Sequence, residues 1–480
     1  MSISRRTLIQ GALGGAVVAG PFQGLVASPV EALRAAKKKS TELVAMPDIS
    51  DGVVRLHLPH GFNYRSFHDT TTPVVLDDGT QLPGRHDGMG AFSGPDGSVV
   101  LIRNHEVNGP VGAFSESAPV YDPMTGGGTT TIQVTGQGAV LASHASLAGT
   151  QMNCSGGIMP WGAWVTCEET VNGPDVGPDF TGAPNVALQQ RHGFVFEVPV
   201  SGAATAEPIT QAGRFAHEAV SFDPVEGRLY LTEDNFGFPS GFYRYTPSVN
   251  PMVSGSLANE GTLEMLKVVG VHEAHLEGFQ KQGKKYDVEW VPIADPSPSF
   301  PYTPGSTAPT SNNDAISYVG NQGRLQGAAH FSRAEGQVYD DGVVYFTSTQ
   351  GGGAMETGPD TVSGYGNGTG QVWAYDIRKQ RLTCVFQSPD DDVLDFPDNI
   401  TTSNTGTLVV CEDSAGDNYI RGLTQQGKLW NIALNRIQGR FGDEFAGSTF
   451  SPDGDTLFVN IQASNGLTFA IWGPWKSIGV

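Results

Sequence analysis

Charged residues are scarce in this 480-residue chain, at 16%. Cysteine is scarcer still: Cys154, Cys167, Cys384 and Cys411 are all there are. Four cysteines are too few for a disulfide scaffold and leave room for one or two bridges, Cys154–Cys167 among them. Basic residues are the minority among the charges, with 28 Lys and Arg against 49 Asp and Glu, a formal net charge of −21. Nucleic-acid binders present basic surface, so nucleic acid is not expected as a partner. No apolar run of about 18 residues follows the N-terminus, which argues against a membrane anchor. Several catalytic signatures are also missing. There is no Gly-Xaa-Ser-Xaa-Gly elbow, no His-Glu-Xaa-Xaa-His, no phosphate-cradling glycine loop ending in Lys and no dinucleotide fingerprint.

Glycine and proline, by contrast, are plentiful, at 63 and 31. Short apolar runs such as Val99–Arg103, Ala163–Cys167, Arg228–Thr232, Val343–Ser348 and Thr456–Asn460 alternate with turn residues. Pro95-Asp96-Gly97, Pro224-Val225-Glu226-Gly227 and Pro452-Asp453-Gly454 each precede such a run. Turn-then-strand punctuation at this density predicts an antiparallel all-β fold, and its recurrence suggests propeller blades. A pair of large β-sandwiches is the alternative. No linker separates two cores after about residue 45, so length alone, which suggests about three domains, gives way to one domain over 41–480. Two segments read as surface excursions: 251–285, with a short helix expected over Leu257–Val269, and the Pro/Ser/Thr-rich Asp295–Asn313.

The chain opens with Arg5-Arg6 before a mild, Gly/Ala-rich stretch from Gly11 to Ala27. That pattern over residues 1–40 reads as a twin-arginine export signal, with the export machinery as a partner and a periplasmic or extracellular destination.

Acidic and histidine residues gather where strand-like runs end. The clusters are Arg103-Asn104-His105-Glu106, Cys167-Glu168-Glu169, Phe215-Ala216-His217-Glu218, Thr232-Glu233-Asp234-Asn235, Arg333-Ala334-Glu335, Cys411-Glu412-Asp413 and Asp443-Glu444. Any one of them alone is a solvated turn. Several carboxylates converging on one mouth of a propeller would repel one another unless protonated or bound to cations. A cysteine beside two glutamates mixes a donor for transition metals with donors for hard ions. Arg333 and Glu335, two apart, would share one face of a strand, and arginine offers a fork that matches phosphate.

These clusters, in this order, resemble the PhoX family of alkaline phosphatases. The resemblance runs from about residue 85 to the C-terminus. It is carried above all by Gly149-Thr150-Gln151-Met152-Asn153-Cys154-Ser155-Gly156-Gly157 leading into Trp161–Glu169, and by Gly213–Asn235, Arg333–Gly336, Pro397-Asp398-Asn399, Cys411–Asp413 and Glu444–Asn460. It implies a six-bladed β-propeller holding Fe3+ and Ca2+ and hydrolysing phosphate monoesters outside the cytoplasm, as a monomer acting on small phosphate esters. Within it, Cys167 looks like the iron-ligating thiolate, Glu218 and Glu335 like carboxylate ligands, and Arg333 like the phosphate-binding arginine. Glu106, Glu168, Glu169, Asp234, Glu412, Asp413 and Glu444 look like further ligands, and Asn104 and His217 like groups touching phosphate or supporting the ligands. No protein nucleophile stands out, so water activated by the cations would attack. A calcium-dependent propeller lactonase or esterase, and a propeller holding metal only for stability, are the rival readings.

Overall fold

The computed structural model describes residues 42–249, 257 and 259–480; the expected export signal lies outside them. The chain is almost entirely antiparallel β-structure. No helix among the described residues is long and apolar enough to cross a membrane.

Six strands line the centre: His86–Ser93, Asn153–Met159, His217–Asp223, Ala334–Asp340, Pro397–Thr402 and Glu444–Phe450. Each packs on the next and the last packs on the first, which closes a ring. Each also pairs outward with the strand that follows it in sequence, as in His217–Asp223 with Arg228–Glu233 and Ala334–Asp340 with Val343–Ser348. The sheets therefore radiate from a common axis, the arrangement of a β-propeller.

The ring is closed by the two ends of the described chain. Asn63–Phe67 joins Leu467–Trp472 edge to edge, with Phe67 opposite Thr468, and so completes the C-terminal sheet. Val54–Pro59 likewise pairs with Leu429–Asn435. Closure leaves fewer free strand edges for unwanted pairing.

Apolar side chains fill the wedges between neighbouring sheets. One wedge holds Val165, Cys167, Phe215, Leu229, Leu231, Tyr243 and Met265, and another Val409, Cys411, Ile420, Phe445, Val459 and Phe469. Strand residues alternate between faces, so every second residue of these runs belongs to such a wedge.

Two expectations need correcting. The stretch expected to be helical over Leu257–Val269 contains the strand Gly261–Val268, paired on both sides. The Thr-Leu-Glu-Met-Leu-Lys-Val sequence satisfies either period, and two strand partners decide the matter. The one long helix among the described residues lies just beyond the Pro/Ser-rich loop, at Asn312–Arg324. Ser311 caps it by accepting from the Asp314 amide at 3.1 Å. All four cysteines are free thiols, so Cys154 and Cys167 form no bridge.

Candidate metal centre and phosphate site

All six inner strands break their pairing register at the same level. The breaks fall between His86 and Met89, Asn153 and Gly156, His217 and Val220, Ala334 and Gln337, Pro397 and Ile400, and Ala446 and Thr449. The first residue inside each irregularity is Asp87, Cys154, Glu218, Glu335, Asp398 and Gly447 in turn. A bulge re-aims a side chain out of the normal alternation. Here it supplies five side chains of types that can ligate metals and one glycine. Gly447 has φ +60°, and a Cβ there would sit 2.2 Å from the Asp87 carbonyl oxygen. The sixth position is closed to any side chain.

A second tier comes from the partner strands. In four of the six inner strands the residue just before the bulge faces the residue just before a mouth carboxylate: His86 faces His105, Asn153 faces Glu168, His217 faces Glu233 and Pro397 faces Glu412. The next residues in sequence are Glu106, Glu169, Asp234 and Asp413, and all four line the same cavity of about 270 Å³. Asp443 and Glu444 also line it, as do Arg85 and Arg333. Ten carboxylates, one thiol and two guanidinium groups thus share one mouth.

The donor atoms are close. Asp87, Glu106 and Cys154 form one group, Cys154, Glu169 and Glu218 a second, and Glu218, Glu335 and Asp398 a third. Within each group the candidate ligand atoms lie within 4.8 Å of one another. Cys154 and Glu218 are each shared by two groups, so the donors form a continuous arc. The Cys154 thiol donates to Glu169 Oε2. Burial, with Glu169 and Glu218 beside it, pushes that thiol well above its usual range. Burial and mutual repulsion push Glu218, Glu335 and Asp398 well above the carboxylate range, and Asp87 to about 6. Such a group of acids is stable near neutral pH only with protons or cations among them. Bulk carboxylates and one thiolate are the donor set for hard ions combined with a softer transition metal, so these residues fit a mixed cluster.

The two arginines hold matching positions. Arg333 (φ +43°) and Arg85 (φ +48°) each precede an inner strand in left-handed backbone, a conformation that costs about 1–3 kcal/mol and turns the side chain inward. Arg333 Nη2 lies 3.1 Å from Asp234 Oδ2 and 2.9 Å from Glu335 Oε1, and its guanidinium lies over Phe236. Arg85 Nε donates to the Glu106 carbonyl oxygen at 2.7 Å, and its Nη2 pairs with the Glu106 carboxylate and lies 3.2 Å from Gln462 Oε1.

The structure brings Glu106, Glu169, Glu218, Asp234, Arg333, Glu335, Asp413 and Glu444 to this mouth, and places five other predicted residues elsewhere. Cys167 lies in the apolar wedge with Phe215 and Leu229, one position out of phase with Glu168 and two before the mouth. Glu168 points away from the mouth. Its Oε1 accepts from the Gln151 amide and His192 Nδ1, and its Oε2 from the Gly193 amide. Glu412 accepts from Arg421 Nε at 2.7 Å and from the Tyr419 amide. Asn104 donates to the carbonyls of Cys154 and Ser155 and accepts from Trp164 Nε1, so it braces the strand that carries the thiol. His217 stacks on Phe215, with its Nε2 at 2.9 Å from the Gly213 carbonyl. Sequence reasoning passed over Cys154, Asp87, Asp398 and Arg85. The signal was present in the small residue after four of the five inner acid or thiol groups: Gly88, Ser155, Ala219 and Gly336. A Cβ on Gly88 would sit 2.5 Å from the Ser155 Cα, and one on Gly336 2.8 Å from the Asn399 Cα.

A family model described as alkaline phosphatase PhoX matches residues 41–142 and 136–465. Among solved structures, Pseudomonas fluorescens PhoX in complex with vanadate, a transition state analogue, superposes with a TM-score of 0.62 at 16% identity, covering 91% of this chain and 97% of that one. A streptogramin B lyase (TM-score 0.38, 10% identity, 86% and 98% covered) and a Xanthomonas campestris gluconolactonase (0.36, 12%, 91% and 99%) also match. A search of curated proteins returned no match. Fold and family model together define a metal-dependent phosphatase built on a β-propeller. The chain belongs to the alkaline phosphatase PhoX family.

Proposed function

We propose that this phosphatase hydrolyses phosphate monoesters at the propeller mouth, with Fe3+ and Ca2+ held by the arc of Asp87, Glu106, Cys154, Glu169, Glu218, Glu335 and Asp398. The observation that carries the reading is this arc of buried acids around one thiol, flanked by Arg333 and Arg85. Asp234, Asp413 and Glu444 are further candidate oxygen ligands. When bound, the cations would neutralise the phosphoryl group and activate water for attack.

The side chains divide the remaining work. Arg333, held between Asp234 and Glu335, presents donors to the phosphoryl oxygens, and Arg85 does the same from across the ring. Asp234 and Glu335 fix the guanidinium direction before substrate arrives, so little ordering is needed on binding. Asn104 holds the Cys154 backbone in its bulge. The ring of six inner strands supports a count of six blades. We read residues 1–40 as a twin-arginine signal that delivers the folded protein outside the cytoplasm as a monomer.

The test is p-nitrophenyl phosphate turnover, with elemental analysis, by protein produced with iron and calcium. Turnover by wild type, with both metals retained, and loss of both metal and activity in Cys154→Ser support the reading. A chain that holds calcium alone and hydrolyses no monoester overturns it. Fractionation of cells making the full chain and an Arg5→Lys/Arg6→Lys variant tests export: only the former should leave the cytoplasm.

A further inference from the structure

A second cluster of donors lies outside the central mouth, on none of the residues used above. His275 and His330 sit on neighbouring segments joined by a parallel bridge. Glu277 lies beneath them, its side chain fully buried. Glu277 Oε1 lies 2.7 Å from His275 Nδ1. Its other oxygen, Oε2, lies 3.4 Å from His330 Nε2 and has no hydrogen-bond partner. The facing ring nitrogens, His275 Nδ1 and His330 Nε2, are 3.3 Å apart. The candidate ligand atoms of the three residues lie within 4.8 Å of one another.

Hydrogen bonds alone satisfy this group poorly. A buried carboxylate oxygen is left without a donor, and two imidazole nitrogens face each other across a distance that holds at most one proton. A single cation among the three would accept lone pairs from both rings and from Oε2 together. Two imidazoles and one carboxylate are a donor set for zinc and its neighbours, not for calcium, which takes oxygen. Three protein ligands leave one position for water, and His275, 36% exposed, opens it to solvent.

We propose that His275, Glu277 and His330 form a separate site for one divalent transition-metal ion of the Zn2+ type. The ion would tie together three segments. The Glu356 amide donates to Glu277 Oε1 at 3.2 Å, and the Gly352 amide to the Glu277 carbonyl at 2.7 Å. These bonds attach the loop after Val343–Ser348. His330 begins the run Phe331-Ser332-Arg333, so the site also anchors the chain that delivers Arg333. Its role is to hold that chain in place, at a distance from the reacting atoms.

The experiment uses the metal-loaded enzyme, incubated with a small excess of Zn2+ and freed of unbound ion. Zinc content and melting temperature are compared for wild type, His275→Ala and Glu277→Gln, with circular dichroism confirming the fold. Wild type should hold one more zinc per chain than either variant. Only wild type should show a melting temperature that rises with Zn2+ concentration. Loading with Co2+ should give ligand-field absorption that His275→Ala lacks. Should Glu277→Gln fail to fold, His275→Ala decides, because its side chain is partly exposed. Equal zinc content and equal melting response in wild type and His275→Ala would overturn the site and leave a hydrogen-bonded triad.

Discussion

Arg85 and Arg333 stand at equivalent points of two different sheets: each occupies the left-handed residue immediately before an inner strand, and each reaches into the same cavity. Their partners differ. Arg333 is held by two carboxylates, whereas Arg85 is held by Glu106 and the neutral Gln462.

The first prediction follows from that difference. Arg333→Ala should lower kcat/KM for a phosphate monoester by about 10²–10³-fold, and Arg333→Lys should recover little because a point charge cannot replace the planar fork. Arg85→Ala should act in the same direction. Steady-state kinetics of the two single variants and the double variant measure the coupling between them. Unchanged kcat/KM in Arg333→Ala would remove it from the phosphate site.

Cys154 and Cys167 should exchange the roles that the sequence suggests. Cys154→Ser should lose iron while keeping the fold. Cys167→Ser should keep iron but lose about 1–3 kcal/mol of stability, since it buries a hydroxyl among Phe215, Leu229 and Met265. Metal analysis and chemical denaturation of both variants separate the two cases. Iron retained in Cys154→Ser but lost in Cys167→Ser would reverse the assignment.

Much of this was legible in the sequence. The strand-end carboxylates Glu106, Glu169, Asp234 and Asp413 were visible because apolar runs end on them. The error came from adjacency. In Cys167-Glu168-Glu169 and Glu412-Asp413 only the last residue faces the mouth, and alternation sends the residue before it to the opposite side of its strand. Cys154, Asp87 and Asp398 were hidden for another reason. Like Glu218 and Glu335, whose role as ligands came from the family resemblance, they sit early in their strands and face inward because a bulge interrupts the alternation, and a bulge leaves no periodic mark. The helix Asn312–Arg324 is hard to see in the sequence because its apolar stripe is short, Ala315, Ile316 and Val319, and is continued by Gly320 and Gly323.

Removing the metal should make stability depend on pH. In the stripped protein, Asp87, Glu218, Glu335 and Asp398 have folded-state pKa values raised above those of the unfolded chain, with Asp87 at about 6. For acids shifted upward, the folded state binds more protons, so stability is present at low pH and lost as pH rises through the folded values. The melting temperature of chelator-treated protein should therefore fall as pH rises from 5 to 8 (about the span centred near the Asp87 value). The loaded protein should show no such fall. Equal pH profiles with and without chelator would contradict the repulsive cluster.

Gly447→Ala should destabilise the protein by roughly 1–3 kcal/mol or more, from positive φ combined with collision against the Asp87 carbonyl. The denaturation midpoint measures it. An unchanged midpoint would mean that the two inner strands can move apart.

The pairing of Phe67 with Thr468 bears on how the molecule comes into being. The strand Asn63–Phe67 leaves the ribosome long before its partner Leu467–Trp472. Until that partner has emerged, the early strand lacks the edge it pairs with, and the ring of six inner strands cannot close. The donors of the arc lie on successive sheets from Asp87 to Asp398, and ring closure fixes the two ends of that arc against each other. An ion that takes ligands from opposite sides of the ring is therefore captured only once the ring has closed.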